Sequence, residues 1–234
     1  GMDKVIMRDI FAKHGIPQTK YTSIRLHNWK EDEGKSYQQV ENKIGYPCYV
    51  KPANSGSSVG ISRAENREEL EKSFQEAFKY DCKIIVEKEV IGREMQTSVV
   101  GNDEPKASVS GEFIMERAFF DYNAKYIDGT ITPVVPARLE PSVADEVREM
   151  AVKSFKVLNC YGLARVDIFV TDDNKVLVNE VNTMPGFTAL SMTPVLWEAT
   201  NGTTYAELIE WLIELAFERY DQKKSILCTR GVEE

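Results

Sequence analysis

The chain has 234 residues, 42% of them hydrophobic and 10% aromatic, which is enough for one large domain or two small ones with a real core. Its formal net charge is −8 and its pI about 5.1, so a nucleic-acid partner, which needs clustered Lys and Arg against phosphates, is not expected. No apolar run approaches the length of a membrane span and no signal peptide is read, so no membrane partner is expected either.

Cys48, Cys82, Cys160 and Cys228 are far apart, with no CxxC and no histidine at ligand spacing. A zinc site or disulfide framework is therefore not expected, and four unpaired thiols suit a reducing, cytoplasmic setting. The only histidines are His14 and His27. Chemistry must rest on carboxylates, Lys, Arg, Ser, Tyr and a metal.

In chain order, residues 3–15 predict an amphipathic helix with Val5, Ile6, Ile10 and Phe11 on one face. Residues 47–51 predict a strand entering a Gly/Ser loop, Asn54 to Gly60. Such a loop lets backbone N–H groups and hydroxyls reach a phosphate, although a flexible linker has the same composition. The strand residue Lys51 favours the phosphate reading. Gly34-Lys35-Ser36 imitates the end of a P-loop, but Trp29 stands where its first glycine would be. A helix is predicted over 65–80, with Leu70, Phe74, Ala77 and Phe78 in its stripe, then a strand over 83–89. The segment Glu87 to Glu94 can offer backbone groups to a base and a carboxylate to a ribose; an edge strand with solvated charges is the alternative.

Strand-like runs follow at 95–100 and 105–115. Residues 119–140 lack periodicity and are expected to form an ordered functional loop. A helix is predicted over 142–158, strands over 163–171 and 175–182, and two closing helices over 190–199 and 203–220. Because side chains alternate along a strand, Arg165 and Asp167 share a face, as do Glu180 and Asn182. A two-residue turn at Asp173-Asn174 would set Asp167 opposite Glu180 and Arg165 opposite Asn182. Opposed carboxylates destabilise a sheet unless they are solvated or neutralised. Both strands are rich in apolar residues, which favours convergence of Asp167, Glu180 and Asn182 on a hard cation such as Mg²⁺ over a solvated hairpin. Arg165 beside them could stabilise developing negative charge.

Taken together, Met2-Asp3-Lys4, KPANSGSSVG at 51–60, VEKEVIGRE at 86–94, DYNAKY at 121–126, GLARVDIF at 162–169 and NEVNTMPGFTALS at 179–191 resemble, in order, the motifs of D-alanine–D-alanine ligases. That resemblance implies an α+β ATP-grasp fold, with a small lobe over 1–92, a large lobe over 93–225, nucleotide between them and a frayed tail over 226–234. It implies that Lys4 and Lys51 bind ATP phosphates and that Ser57 and Ser58 sit in a loop closing over the γ-phosphate. Glu87, Lys88, the backbone near Val90, and Glu94 would hold adenine and ribose. Lys125 and Tyr126 would lie on a larger loop over the site, with Lys125 also reaching the nucleotide; Phe120 stands where many members have Tyr. Arg165 would support the transition state and touch substrate, while Asp167, Glu180 and Asn182 would hold two Mg²⁺ ions, or Mn²⁺. Gly186 and Ser191 would face the second D-alanine. The reaction implied is ATP-dependent joining of two D-alanines through an acylphosphate, for peptidoglycan precursor synthesis, in a full-length enzyme expected to be a homodimer. The family's N-terminal substrate segment is expected to lie outside this sequence. Two alternatives stay open: a nucleotide-binding module without autonomous catalysis, and a ligase joining D-alanine to D-lactate or D-serine.

Overall fold

A computed structural model describes residues 2–114, 132–189 and 191–226. The first helix, α1 (Lys4–Lys13), starts at Asp3, whose Oδ1 accepts from the backbone N–H groups of Val5 and Ile6 at 3.0 and 3.1 Å. Its buried face is Val5, Met7, Arg8 and Phe11; Ile6, expected on that face, is exposed. The helix rotates about 100° per residue, so Ile6 falls outside the stripe that Phe11 and Met7 define.

Strand β1 (Tyr21–Arg25) and helices α2 (Leu26–Glu31) and α3 (Glu33–Lys43) follow. Next come β2 (Cys48–Pro52), β3 (Ser62–Ala64), α4 (Arg67–Ala77) and β4 (Lys83–Lys88). The four strands form an antiparallel sheet in the order β1-β4-β2-β3. Helices α3 and α4 close its core, with Tyr37, Val40, Leu70 and Phe74 against Ile24, Val50, Ile84 and Val86. Trp29 of α2 stacks on Phe78 with ring centroids 5.0 Å apart.

A second antiparallel sheet contains β5 (Gly92–Gly101), β6 (Lys106–Ile114), β7 (Thr132–Val134), β8 (Gly162–Thr171) and β9 (Val176–Asn182), in the order β7-β6-β5-β8-β9. Helix α5 (Pro141–Val157) lays Val143, Val147, Ala151 and Phe155 on this sheet, against Met95, Val99, Val166 and Ile168. Helices α6 (Met192–Asn201) and α7 (Tyr205–Lys224) pack Trp197 and Leu208 near Val100. The Trp197 indole donates to Ser98 Oγ at 2.9 Å, which satisfies the one polar atom of a buried ring. Among the described residues no helix is long and apolar enough to cross a membrane.

The position of α1 matters most for the site. Met7 and Phe11 enter the core of the second sheet, whereas Val5 packs on Ala53 and Ile85 of the first sheet's side. One short helix thus touches both layers, although ten strands and helices of sequence separate it from β9.

Candidate active site

The hairpin β8–β9 carries the acidic half of the site. Its turn has three residues rather than the expected two. Thr171 N donates to Lys175 O at 3.0 Å, and Asn174 N donates to Thr171 O at 2.8 Å with Asn174 at φ 60°. Asparagine tolerates that left-handed conformation better than most residues. Pairing then runs Val170↔Val176 and Ile168↔Val178, a register that would place Asp167 against Asn179. A β-bulge intervenes at this point: Asn179 is the extra residue, and beyond it Asp167 faces Glu180 and Arg165 faces Asn182. The expected pairing is present, reached by a different turn and a compensating bulge. Without the bulge, Glu180 and Asn182 would point into the core with Val178. The sequence carried a signal for it. Val178 and Val181 are both buried, and strict alternation cannot put residues three apart on one face.

Within this half, Arg165 grips Asp167 through Nε–Oδ1 and Nη2–Oδ2 contacts, both 2.7 Å, and Asn182 Nδ2 donates to Asp167 Oδ2 at 3.0 Å. Glu94, from neighbouring β5, accepts from Asn179 Nδ2 at 2.7 Å. Solvent reaches Glu94 and part of Glu180, yet both lie in a cleft where few waters can gather around a charge. Crowding by protein, together with the charges of Asp167 and Glu180, pushes Glu94 up to about 7. Glu180 also suffers burial, but Lys4, Lys51 and Arg165 outweigh it and hold its carboxyl below the usual value. The guanidinium of Arg165 loses hydration, but Asp167, Glu180 and Glu94 hold it firmly charged.

The basic half comes from α1 and β2. Lys4 Nζ donates to Ser55 O at 2.6 Å and lies 3.7 Å from Glu180 Oε2. Lys51 Nζ lies 2.7 Å from Glu87 Oε2, and although burial opposes its charge, Glu87 and Glu180 raise its pKa. Glu87, on β4, is buried: its Oε1 accepts from Arg8 Nε at 2.8 Å and Nη2 at 2.5 Å. Burial alone would raise its pKa, yet Arg8 and Lys51 hold it down at about 2. Sequence reasoning missed Arg8. An arginine in an exposed-looking amphipathic helix gives no local sign of burial; the only hint was that it lies on the same helical face as Lys4 and Phe11.

The loop after β2 turns through two left-handed serines, Ser57 at φ 53° and Ser58 at φ 60°. Gly60 closes it, where a Cβ would meet Tyr80 Cδ2 at 2.6 Å. Lys88 Nζ donates to Tyr46 O at 2.6 Å, and Val90 is half-buried in the connection to β5. Beyond β9, Ser191 Oγ accepts from Thr188 N at 2.9 Å, and a Cβ on Gly186 would lie 3.4 Å from the same hydroxyl. Phe120, Lys125 and Tyr126 lie outside the described residues.

Among the described residues, no three His, Cys, Asp or Glu side chains converge as a metal cage. Asp167, Glu180 and the Asn182 amide form a partial oxygen set, which suits Mg²⁺ because that ion keeps waters and phosphate oxygens in its shell. The mutual repulsion recorded at Glu94 is the physical sign that this corner has negative charge to spare. To ligate, Asp167 must loosen from Arg165 and Asn182 must turn its amide oxygen inward.

Two antiparallel α+β layers, with lysines from one facing carboxylates from the other, define an ATP-grasp fold. A profile described as "D-ala D-ala ligase C-terminus" matches residues 10–214, and the chain belongs to that family. It is 53% identical over 226 residues to the D-alanine–D-alanine ligase of Bacillus velezensis, covering 97% of this chain and 64% of the relative. It is 51% identical to that of Bacillus cytotoxicus, covering 98% of this chain and 63% of the relative. The chain thus spans slightly less than two thirds of the curated relatives' length. Among solved structures, the D-alanine–D-alanine ligase from Coxiella burnetii matches with a TM-score of 0.82 and 34% identity, over 95% of this chain and 58% of that one. The VanG D-Ala:D-Ser ligase from Enterococcus faecalis matches with the same TM-score and 32% identity, over 92% of this chain and 61% of that one.

Proposed function

We propose that this chain forms the ATP cleft of a cytoplasmic ligase that joins two D-alanines for peptidoglycan precursors. In this reading the lobes are residues 1–92 and 93–225. The observation that carries it is the meeting of Lys4 and Lys51 with Glu180 across the cleft, beside the Arg165–Asp167 pair. Cations and anions placed so closely can separate to receive phosphates on one side and a divalent cation on the other. The similarity to D-alanine–D-alanine ligases supports the substrate assignment.

The reaction has two steps. A carboxylate oxygen of the first D-alanine attacks the γ-phosphorus, the bond to the bridging β–γ oxygen breaks, and ADP leaves with that electron pair. The amine of the second D-alanine then attacks the acyl carbon. The carbon–oxygen bond of the acylphosphate breaks, inorganic phosphate leaves, and the new amide nitrogen loses a proton. Lys4 and Lys51 neutralise phosphate oxygens, and Lys125 and Tyr126 join them from the larger loop. Ser57 and Ser58 cover the transferring group and exclude water, which would otherwise hydrolyse the acylphosphate. Glu87, Lys88, Val90 and Glu94 frame the adenine and ribose. Arg165 stabilises charge on the acyl oxygen, and Gly186 with Ser191 orients the second D-alanine. Mg²⁺ at Asp167, Glu180 and Asn182, when bound, spreads the phosphoryl charge.

The test is phosphate release from ATP with and without D-alanine, alongside detection of D-alanyl-D-alanine by mass. D-alanine-dependent release with matching dipeptide supports the reading. Release that requires D-serine or D-lactate as second substrate would move the assignment to the sister activities. Failure to bind Mg·ATP at all would remove it.

A further inference from the structure

Arg8 is among the largest fully buried side chains, 1% exposed, on a helix that touches both sheets. Every one of its donors has an acceptor. Nε and Nη2 reach Glu87 Oε1 in the first sheet. Nη1 reaches Val178 O at 2.7 Å and Gln18 Oε1 at 3.5 Å, and Nη2 also approaches Asn179 Oδ1 at 3.4 Å. Val178 and Asn179 are the residues at which β9 bulges. The bulge has a second anchor, Val178 N donating to Pro17 O at 2.8 Å, and Gln18 Nε2 returns to Arg8 O at 2.8 Å.

We infer that Arg8 is a positioning residue that fixes both halves of the cleft at once. Through Glu87 it sets the Lys51 ammonium; through Val178 and Asn179 it holds the bulge that turns Glu180 and Asn182 out of the core. The contacts form an unbroken relay, Lys51–Glu87–Arg8–Asn179–Glu94, from one sheet to the other. Only a planar guanidinium can serve it. An ammonium has three donors on one atom, and cannot hold a carboxylate on one side and a backbone carbonyl on the other in fixed directions. Arg8 itself has no route to a ligand, since it is sealed behind Glu87 and β9. Its role in binding therefore depends on the nucleotide-cleft reading above, whereas its role in holding the bulge does not.

The experiment uses Arg8→Lys, Arg8→Met and Asn179→Ala in the protein carrying this chain, with Lys35→Ala as a surface control. Amide hydrogen exchange is followed at residues 177–182 without nucleotide, and Mg·ADP affinity is measured by titration calorimetry. Arg8→Lys is expected to speed exchange at 177–182 by tenfold or more while exchange in β6 and α5 stays as in the parent. It should weaken Mg·ADP by about tenfold, with Asn179→Ala giving a smaller change in the same direction and Lys35→Ala none. Uniformly faster exchange throughout the protein would mean that Arg8 only stabilises the fold, and overturns the proposal. So would unchanged exchange at 177–182 in Arg8→Lys. Should Arg8→Met fail to fold, the lysine and alanine variants decide. If the parent protein itself does not bind Mg·ADP, the cleft reading fails, and the exchange data alone still judge the inference.

Discussion

Glu87 and Glu94 sit seven positions apart, at the ends of adjoining strands in different sheets, and their carboxyls are driven in opposite directions. Both lose hydration. Glu87 gains Arg8 and Lys51 in return and is held at about 2, while Glu94 meets Asp167 and Glu180 and rises to about 7. The same residue type is thus a permanent anion in one layer and a proton-holding group in the other. Burial does not decide the outcome; the sign of the neighbours does. The first layer has its charges closed among themselves, and the second keeps an excess that a cation or a proton must relieve.

The largest expected effect tests that closure. Glu87→Gln leaves Arg8 and Lys51 sharing a buried site without their anion, and should lower the unfolding free energy by about 3–5 kcal/mol in denaturant titrations. Glu94→Gln removes repulsion instead and should change stability by no more than about 0.5 kcal/mol. Similar losses for both would erase the contrast.

A pH scan in chelator, without nucleotide, separates the two by sign. Glu87 has a folded pKa below the ordinary 4.5, so its contribution is full above 4.5 and is lost as pH falls towards about 2. Glu94 has a folded pKa above 4.5, so its contribution is full below 4.5 and is lost as pH rises towards about 7. Glu87→Gln should flatten the acid limb of the stability curve and Glu94→Gln the limb between 4.5 and neutrality. A neutral limb that is unchanged in Glu94→Gln would show that another group titrates there.

Ligand binding sharpens the contrast on the cationic side. Lys51→Ala should weaken Mg·ATP by about ten- to hundredfold, the worth of a charge-assisted contact of roughly 1.5–3 kcal/mol. Lys35, exposed on α3, should give no measurable change on the same substitution. Equal effects in a nucleotide titration would deny Lys51 its place. The smallest expected effect is at the turn: Asn174→Ala should cost about 1 kcal/mol of stability for its left-handed backbone, with Mg·ATP affinity preserved. A matching loss of affinity would mean that the turn, rather than the bulge, aims the acidic residues.

The hairpin shows how far sequence reasoning reached. Alternation alone gave Asp167↔Glu180 and Arg165↔Asn182, because polar residues at every second position of a half-buried strand must share a face. It erred on the turn, since Asp173-Asn174 suits a two-residue loop as readily as Asn174 suits the last position of a three-residue one. The long helices and the strands of the second sheet were legible from their stripes. Strand β1, helices α2 and α3, and strand β3 were not read, because short elements carry too few apolar positions to show a period; β3 has only three residues. Arg8 was invisible for a different reason. What makes it internal is an acceptor 79 positions away in Glu87 and another 170 away at Val178, and no local window contains either.

The bulge at Asn179 turns the stretch between Ile168 and Asn179 into a parity check. Its odd extra residue in the strand cancels the odd residue in the turn. A single insertion or deletion anywhere in that stretch, absorbed as a register slip, would send Glu180 and Asn182 to the wrong side of the sheet while leaving every apolar residue of β8 in place. Two such changes would restore them. Anyone grafting a new loop onto this hairpin therefore has a simple constraint to respect, in which the composition of the loop matters less than whether its length is even or odd relative to the original.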